Sequence, residues 1–271
     1  MVQTEKECAN MKTKNKIILA VILVLIGAVA VLGATGLLMD VVEEVTFYWF
    51  DHTETELKVK AFAEDNGIFY SKYPESLIQL LERNPETEQF VLEYPIYEGG
   101  AYSMAEYENA ETVPLFMQWD QRWGYEIYGS DVIGITGCGP TCLAMAGFYL
   151  TGDAKFTPAQ VAAFSWENGY YEKGYGSAWA LISEGGPKLG LNVTELPLLK
   201  KKMTDALDRG NPVILAMGKG DFTSSGHFIL LSGVEDGKFI VNDPNSYANS
   251  AKRWSYEELE GQIRNIWEIS K

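Results

Sequence analysis

Apolar and polar positions along this 271-residue chain fall into three regimes. The first is an unbroken apolar run, IILAVILVLIGAVAVLGATGLLM, from Ile17 to Met39, with no charge in 23 positions. At about 1.5 Å per residue such a run makes roughly 34 Å of helix, enough for a bilayer core of about 30 Å. Lys12, Lys14 and Lys16 precede it, which predicts a cytoplasmic tail (1–16), a transmembrane helix (17–39) and the remainder outside the cell. The rival reading is a cleaved signal peptide, since Ala28-Val29-Ala30 suits a small-x-small cleavage site. The run is longer than the 7–15 residues or so of a typical signal-peptide core, which favours the anchor.

The second regime, 40–112, mixes polar residues with short helical patterns. Leu77, Leu80 and Leu81 follow Pro74 and Ser76 at helical spacing, Asn84-Pro85 stops that helix, and Thr87 to Tyr94 starts another. These predict a partly helical spacer that props up the main domain. In the third regime, 113–271, Pro140 in the first turn opens a largely apolar helix that ends at Gly152. Further helices are predicted from Thr157-Pro158 to Phe164, around Ser177 to Lys188, and from Lys201 to Asp208, capped at Gly210. The pattern then changes to short β-branched runs divided by Gly and Asp: PVILAM, HFILLSG and KFIVND. Ser255 and Glu258 form a capping box for a last helix through Ile263. Helices followed by antiparallel strands predict an α+β domain.

Charge sharpens these boundaries. Residues 40–112 hold 17 acidic and 4 basic residues, a net −13, while 113–271 hold 18 and 14, a net −4. An overall charge of −15 argues against nucleic acid as a partner, because a phosphate backbone demands a basic footprint. Of three cysteines, Cys8 falls on the cytoplasmic side, and Cys138 and Cys142, four apart on one helix, are poorly placed for a relaxed disulfide. A zinc site is hard to build from two histidines and three scattered cysteines.

Candidate chemistry centres on TGCGPTCLAM, 136–145. Cys138 stands at the start of a predicted helix, where unpaired backbone N–H groups stabilise a thiolate, between Gly137 and Gly139, which allow a sharp turn and leave room for a substrate. Cys142, one turn on among apolar residues, suits an inert buried thiol. A small residue filling a core is the plain alternative for Cys138 too. A nucleophilic cysteine needs a base. His52, in FYWFDHTE, fits an interfacial aromatic belt, which leaves His227 in SSGHFILLSG. A third group can orient the imidazole. With a three-residue hairpin loop at Glu235-Asp236-Gly237, His227 and Asp243 become diagonal neighbours on one face; a two-residue Asp236-Gly237 turn shifts the register by one and presents Asn242. Tyr170, Tyr171 and Tyr175 fall on a predicted loop and either line a groove or pack the surface. Trp119 and Trp123 are expected to pack the edge of the domain.

GCGPTCLAM, GHFILLSGVEDGKFIVNDPNS and the upstream VPLFMQWDQRWGYEIYG together resemble the papain-like peptidases of the bacteriocin-leader-processing type, in particular their stand-alone extracytoplasmic relatives in Gram-positive bacteria. The resemblance covers roughly 113–267. It implies a papain-like fold with Cys138 as nucleophile, His227 as base and Asp243 as orienter. It also implies cleavage of peptide or amide bonds through a thioester, with no metal or cofactor. No glutamine lies just before Cys138, where such enzymes usually carry the side-chain donor to the oxyanion. By the resemblance Gln118 takes that part, with Gln121 as the alternative. The expected enzyme is thus a membrane-anchored, extracytoplasmic thiol peptidase or amidase acting on a peptide or peptidoglycan-like substrate. An acyltransferase built on the same triad and a degenerate module that only binds peptides or wall fragments are the alternatives.

Overall fold

Residues 35–108 and 110–271 are described in the computed structural model, and the chain divides into two units between Ile78 and Gln79. The expected membrane span, 17–39, lies outside the described residues except for its last five, which begin helix α1 (Thr35–Thr46). Among the described residues, no helix is long and apolar enough to cross a membrane.

In the first unit, α2 (Glu54–Asp65) opens on a capping box: Thr53 accepts from the Glu56 backbone N–H at 3.2 Å, and the Thr53 N–H donates to the Glu56 carboxylate at 2.7 Å. Two orphan donors of the first turn are thereby satisfied. Lys60 is buried, and its ammonium is held by Glu44 and, at 3.1 Å, by Glu64. His52 stacks on Phe47 with ring centroids 3.7 Å apart, and its Nε2 lies 2.7 Å from the Phe47 carbonyl. The leucine pattern forms α3 (Glu75–Arg83), ended by Asn84-Pro85 as its composition predicts.

The second unit continues with α4 (Glu88–Glu93), α5 (Cys138–Thr151), α6 (Pro158–Glu167), α7 (Lys200–Asp208) and α8 (Tyr247–Ala251). Its sheet contains β1 (Asn192–Glu195), β2 (Val213–Met217), β3 (His227–Glu235), β4 (Lys238–Asn242), β5 (Arg253–Trp254) and β6 (Ile263–Ser270). The spatial order is β1-β6-β2-β3-β4-β5, with every neighbouring pair antiparallel. All five residues of β2 are buried. Ile214 and Ala216 join the core that contains α5, while Val213, Leu215 and Met217 join a second core with Met203 and Ala206 of α7. A strand covered on both faces has no polar side to show, which is why PVILAM reads as a continuous apolar run.

Helix α5 is buried from Gly139 to Phe148, and its apolar circumference follows from that position. It ends as predicted at Gly152, whose φ of +67° supplies the left-handed residue of a helix C-terminus. Two expectations need correction. The helix expected around Ser177 to Lys188 begins only at Leu181, because Gly176-Ser177 pair with Tyr171-Glu172 as a short hairpin. The last helix, with its Ser255–Glu258 capping box, stops at Leu259, and Ile263 instead opens β6. That strand has no clear signature in the chain because both its faces are covered, so Ile263, Ile266, Trp267 and Ile269 are buried without a clean alternation.

Gly147 tests the packing of α5. A Cβ there would lie 2.1 Å from Cδ1 of Phe156, a side chain that is itself fully buried. Gly147→Ala is expected to cost about 1–3 kcal/mol, the usual range for overpacking. The loss should appear as a lower denaturation midpoint at constant slope; an unshifted midpoint would contradict this packing.

Candidate active site

The local chain around Cys138 is fixed by close packing. Residues Ile133–Thr136 form a single helical turn, and Thr136 Oγ1 donates to the Tyr128 carbonyl at 2.9 Å. A Cβ on Gly137 would lie 2.6 Å from the Ile133 carbonyl oxygen, and one on Gly139 would lie 2.7 Å from Oγ of Ser177. The two glycines therefore admit neighbouring protein rather than substrate, which corrects the expectation that they leave room for a ligand. Ser177 is held in turn by Tyr128, whose hydroxyl lies 2.8 Å from it and 2.7 Å from Ser165. The result is a rigid seat that presents Cys138 as the first residue of α5.

His227 opens β3, and the hairpin beyond it decides what the imidazole meets. The turn is the tight two-residue one: Glu235 pairs with Lys238, and Asp236 and Gly237 take φ of +51° and +75°. On its own this turn would set Leu230 opposite Asp243. A β-bulge intervenes, for Leu231 pairs with Val241 and Gly233 with Ile240, leaving Ser232 as the extra residue. Past the bulge Leu230 faces Asn242, the register that a three-residue loop would have produced. Nε2 of His227 accordingly lies 2.7 Å from Oδ1 of Asp243. Asn242 turns elsewhere: its Nδ2 donates to the carbonyls of Val113 and Pro114 at 3.2 and 3.1 Å, and its Oδ1 accepts from Ser232 at 2.9 Å.

Asp243 is buried, and its oxygens are fully engaged. Oδ1 also accepts from the Asn245 backbone N–H at 2.9 Å, and Oδ2 accepts from Asn249 Nδ2 at 2.8 Å. Asn249, on α8, was not a sequence candidate. The Ser246 cap that starts α8 could have placed it near Asp243, but the chain gives no hint of where its amide points.

Nε2 is taken by Asp243, which leaves Nδ1 as the ring nitrogen able to interact with Cys138, and the two side chains shift each other's proton affinity. Burial alone would raise the Cys138 thiol. The hydrogen bond and charge of His227, with the backbone N–H groups of Phe228 and Gly139, outweigh it and hold the thiol below its ordinary value. Burial alone would lower His227, but the charge and hydrogen bond of Asp243, and then those of Cys138, raise it from 6.5 to about 10. Cys142, buried in the core, is pushed well above the ordinary thiol range, chiefly by that burial. Neither Cys138 nor Cys142 is in a disulfide.

The two candidate glutamines separate. Gln118 is buried and lines the same cavity as Cys138 and His227; its Nε2 donates to the carbonyls of Gly134 at 2.9 Å and Ile135 at 3.3 Å. Gln121 instead donates to Glu93 at 2.5 Å. Tyr171 and Tyr175 line the cavity, while Tyr170 is buried in the core. Trp123 is buried as expected, and Trp119 donates to the Asn245 carbonyl at 3.1 Å. The cavity holds about 640 Å³, and a second of about 300 Å³ shares Cys138 and His227 with it. The thiol thus stands where two cavities meet.

Comparison with known proteins gives one sequence-level match, of the Peptidase_C39 like family to residues 110–271. No curated protein matches. Among solved structures, the chain is similar to the peptidase domain of Streptococcus ComA, a bi-functional ABC transporter involved in quorum sensing, at 20% identity and a TM-score of 0.40, over 50% of this chain and 91% of that one. It is also similar to a C39-like chain from Bacillus anthracis, at 15% identity and a TM-score of 0.40, over 60% and 98% of the two chains.

The depressed thiol makes a direct prediction. An ordinary thiol is only a few per cent thiolate at pH 7, so iodoacetamide is expected to label Cys138 faster than a free thiol and to leave Cys142 untouched. His227→Ala should move the rise in labelling rate to higher pH, because it removes the largest of the lowering influences. Peptide mapping by mass spectrometry reads both; equal labelling of the two cysteines would contradict the assignment.

Proposed function

Because the chain belongs to the Peptidase_C39 like family, we propose that it is a cysteine peptidase whose nucleophile is Cys138, with His227 as its acid–base partner and Asp243 as orienter. The observation that carries this reading is that Cys138 and His227 line the same cavity, with the His227 ring held 2.7 Å from the buried Asp243 carboxylate. A lowered thiol beside a raised imidazole favours passing the thiol proton to the ring, towards a thiolate–imidazolium pair.

The chemistry follows from that pair. The thiolate attacks the carbonyl carbon of the scissile amide, and the negative charge moves to the carbonyl oxygen. The imidazolium gives its proton to the departing nitrogen, the C–N bond breaks, and the acyl group remains on sulfur as a thioester. Neutral His227 then takes a proton from water, whose oxygen attacks the thioester. The C–S bond breaks, the acid leaves, and the thiolate–imidazolium pair is restored. Asp243 favours the charged ring throughout and keeps Nδ1 aimed at sulfur. Gln118 is the side-chain donor to the oxyanion in this reading: its longer bond, to the Ile135 carbonyl, is the one that the oxyanion displaces.

Other elements of the proposal rest on sequence. The charge-free run 17–39 behind three lysines supports a single-pass anchor with the catalytic unit outside the cell. The motifs around Cys138, His227 and Asp243 support the papain-like, bacteriocin-leader-processing type, and with it a peptide substrate.

Cys138→Ala and His227→Ala are each expected to abolish hydrolysis of quenched peptides; retained turnover in both would sink the proposal. Gln118→Ala should lower kcat about 100- to 1000-fold, whereas Gln121→Ala should leave it near wild type. The wild-type rate should fall as pH rises through about 10, where the imidazolium that protonates the leaving group is lost.

A further inference from the structure

The smaller cavity beside Cys138 brings two cationic side chains close to the sulfur. Lys219 and Arg264 both line it, with Trp179 forming an aromatic wall. In a chain of net charge −15, Arg122, Arg209 and Arg253 each hold a carboxylate. Among the described residues neither Lys219 nor Arg264 has such a partner, and Glu172 on the same rim forms no ion pair with either.

Arg264 is also fixed in place. Its Nη1 donates to the carbonyls of Gly261 and Ile263, both at 3.1 Å. The rest of the guanidinium lies over the bare backbone of Gly218, where a Cβ would come within 2.4 Å of Nε and 2.8 Å of Nη2. Gly218 is itself held, by donating to the Gln262 carbonyl at 2.7 Å. The sequence thus spends a glycine to seat a guanidinium beside the reacting sulfur, with backbone bonds to one of its nitrogens only. Trp179 is half exposed, lines the same cavity and is braced edge-to-face with Trp267 at 5.9 Å.

We propose that this cavity is a specificity subsite for an acidic side chain of the substrate, whose carboxylate is held by Arg264 and Lys219 while its aliphatic stem lies along Trp179. A planar guanidinium pairs well with a carboxylate, and Lys219 adds a second positive charge. The inference rests on the reading of Cys138 as a nucleophile but not on peptide hydrolysis.

The test uses the full chain and two alkylating probes that differ by one charge: the α-amide of N-bromoacetyl-glutamate and the corresponding glutamine compound. In each, the Cys138 thiolate displaces bromide and forms a thioether, so no peptidase turnover is needed. The glutamate probe is expected to react about 3- to 10-fold faster at low ionic strength, with the advantage shrinking in salt. Arg264→Gln should bring the ratio close to one. Gly218→Ala, which keeps the guanidinium but evicts it from its seat, should lower the ratio in the same direction. A wild-type ratio near one, or a ratio that survives both substitutions, overturns the subsite. If the ratio behaves as expected while no peptide is hydrolysed, the peptidase reading fails and the subsite stands. Hydrolysis without any acidic preference leaves the peptidase standing and overturns the subsite.

Discussion

A charged imidazole with little access to solvent is the constraint around which this site is built. Removing a cation from water costs several kcal/mol unless opposite charges and hydrogen bonds replace the lost hydration. Here the Asp243 carboxylate bound to Nε2 is the main source, with the neighbouring Cys138 sulfur adding to it. Each group also biases its neighbour: the carboxylate favours the charged ring, and the ring in turn lowers the thiol. The carboxylate is itself held by the Asn245 N–H and the Asn249 amide, which fixes the direction in which the ring must point.

The scaffold serves this alignment by being rigid where the chain carries its smallest residues. Gly137, Gly139 and Gly147 bring α5 against Ile133, Ser177 and Phe156, closer than any side chain would allow. The helix is enclosed from Gly139 to Phe148, and its first residue, Cys138, is left partly open at the cavity. Sheet and helix are thereby locked in register, so a sulfur from one part of the chain and an imidazole about ninety residues later meet at one point. The cations beside that point follow the same logic, since Gly218 makes room for Arg264 as Gly139 does for Ser177.

Much of this was legible in the chain. The helix from Cys138 to Gly152 announced itself through its proline, its apolar run and its final glycine, all local signals. The strands of PVILAM, HFILLSG and KFIVND were visible from β-branched runs broken by turn residues. Cys138 and His227 were picked out because a thiol at a helix start needs a base and the chain offers few. The strands Asn192–Glu195 and Ile263–Ser270 were not visible: the first is largely exposed along an edge, and the second has both faces covered, so neither alternates. The choice between Asp243 and Asn242 was open for a related reason, since the turn residues specified a tight turn and nothing local revealed the bulge at Ser232 that undoes its shift.

By itself, then, the order of residues determined the local elements, their caps and the types of group available for chemistry, because helix starts, turns and apolar runs depend on neighbours a few positions apart. Tertiary structure decided which of those groups meet. The register of β3 on β4, the aim of Gln118 rather than Gln121 into the cleft, the partners of Asp243 and the seat of Arg264 each depend on packing between segments distant in the chain. No pattern of neighbouring residues encodes such a contact, because its energy exists only once the intervening chain has folded.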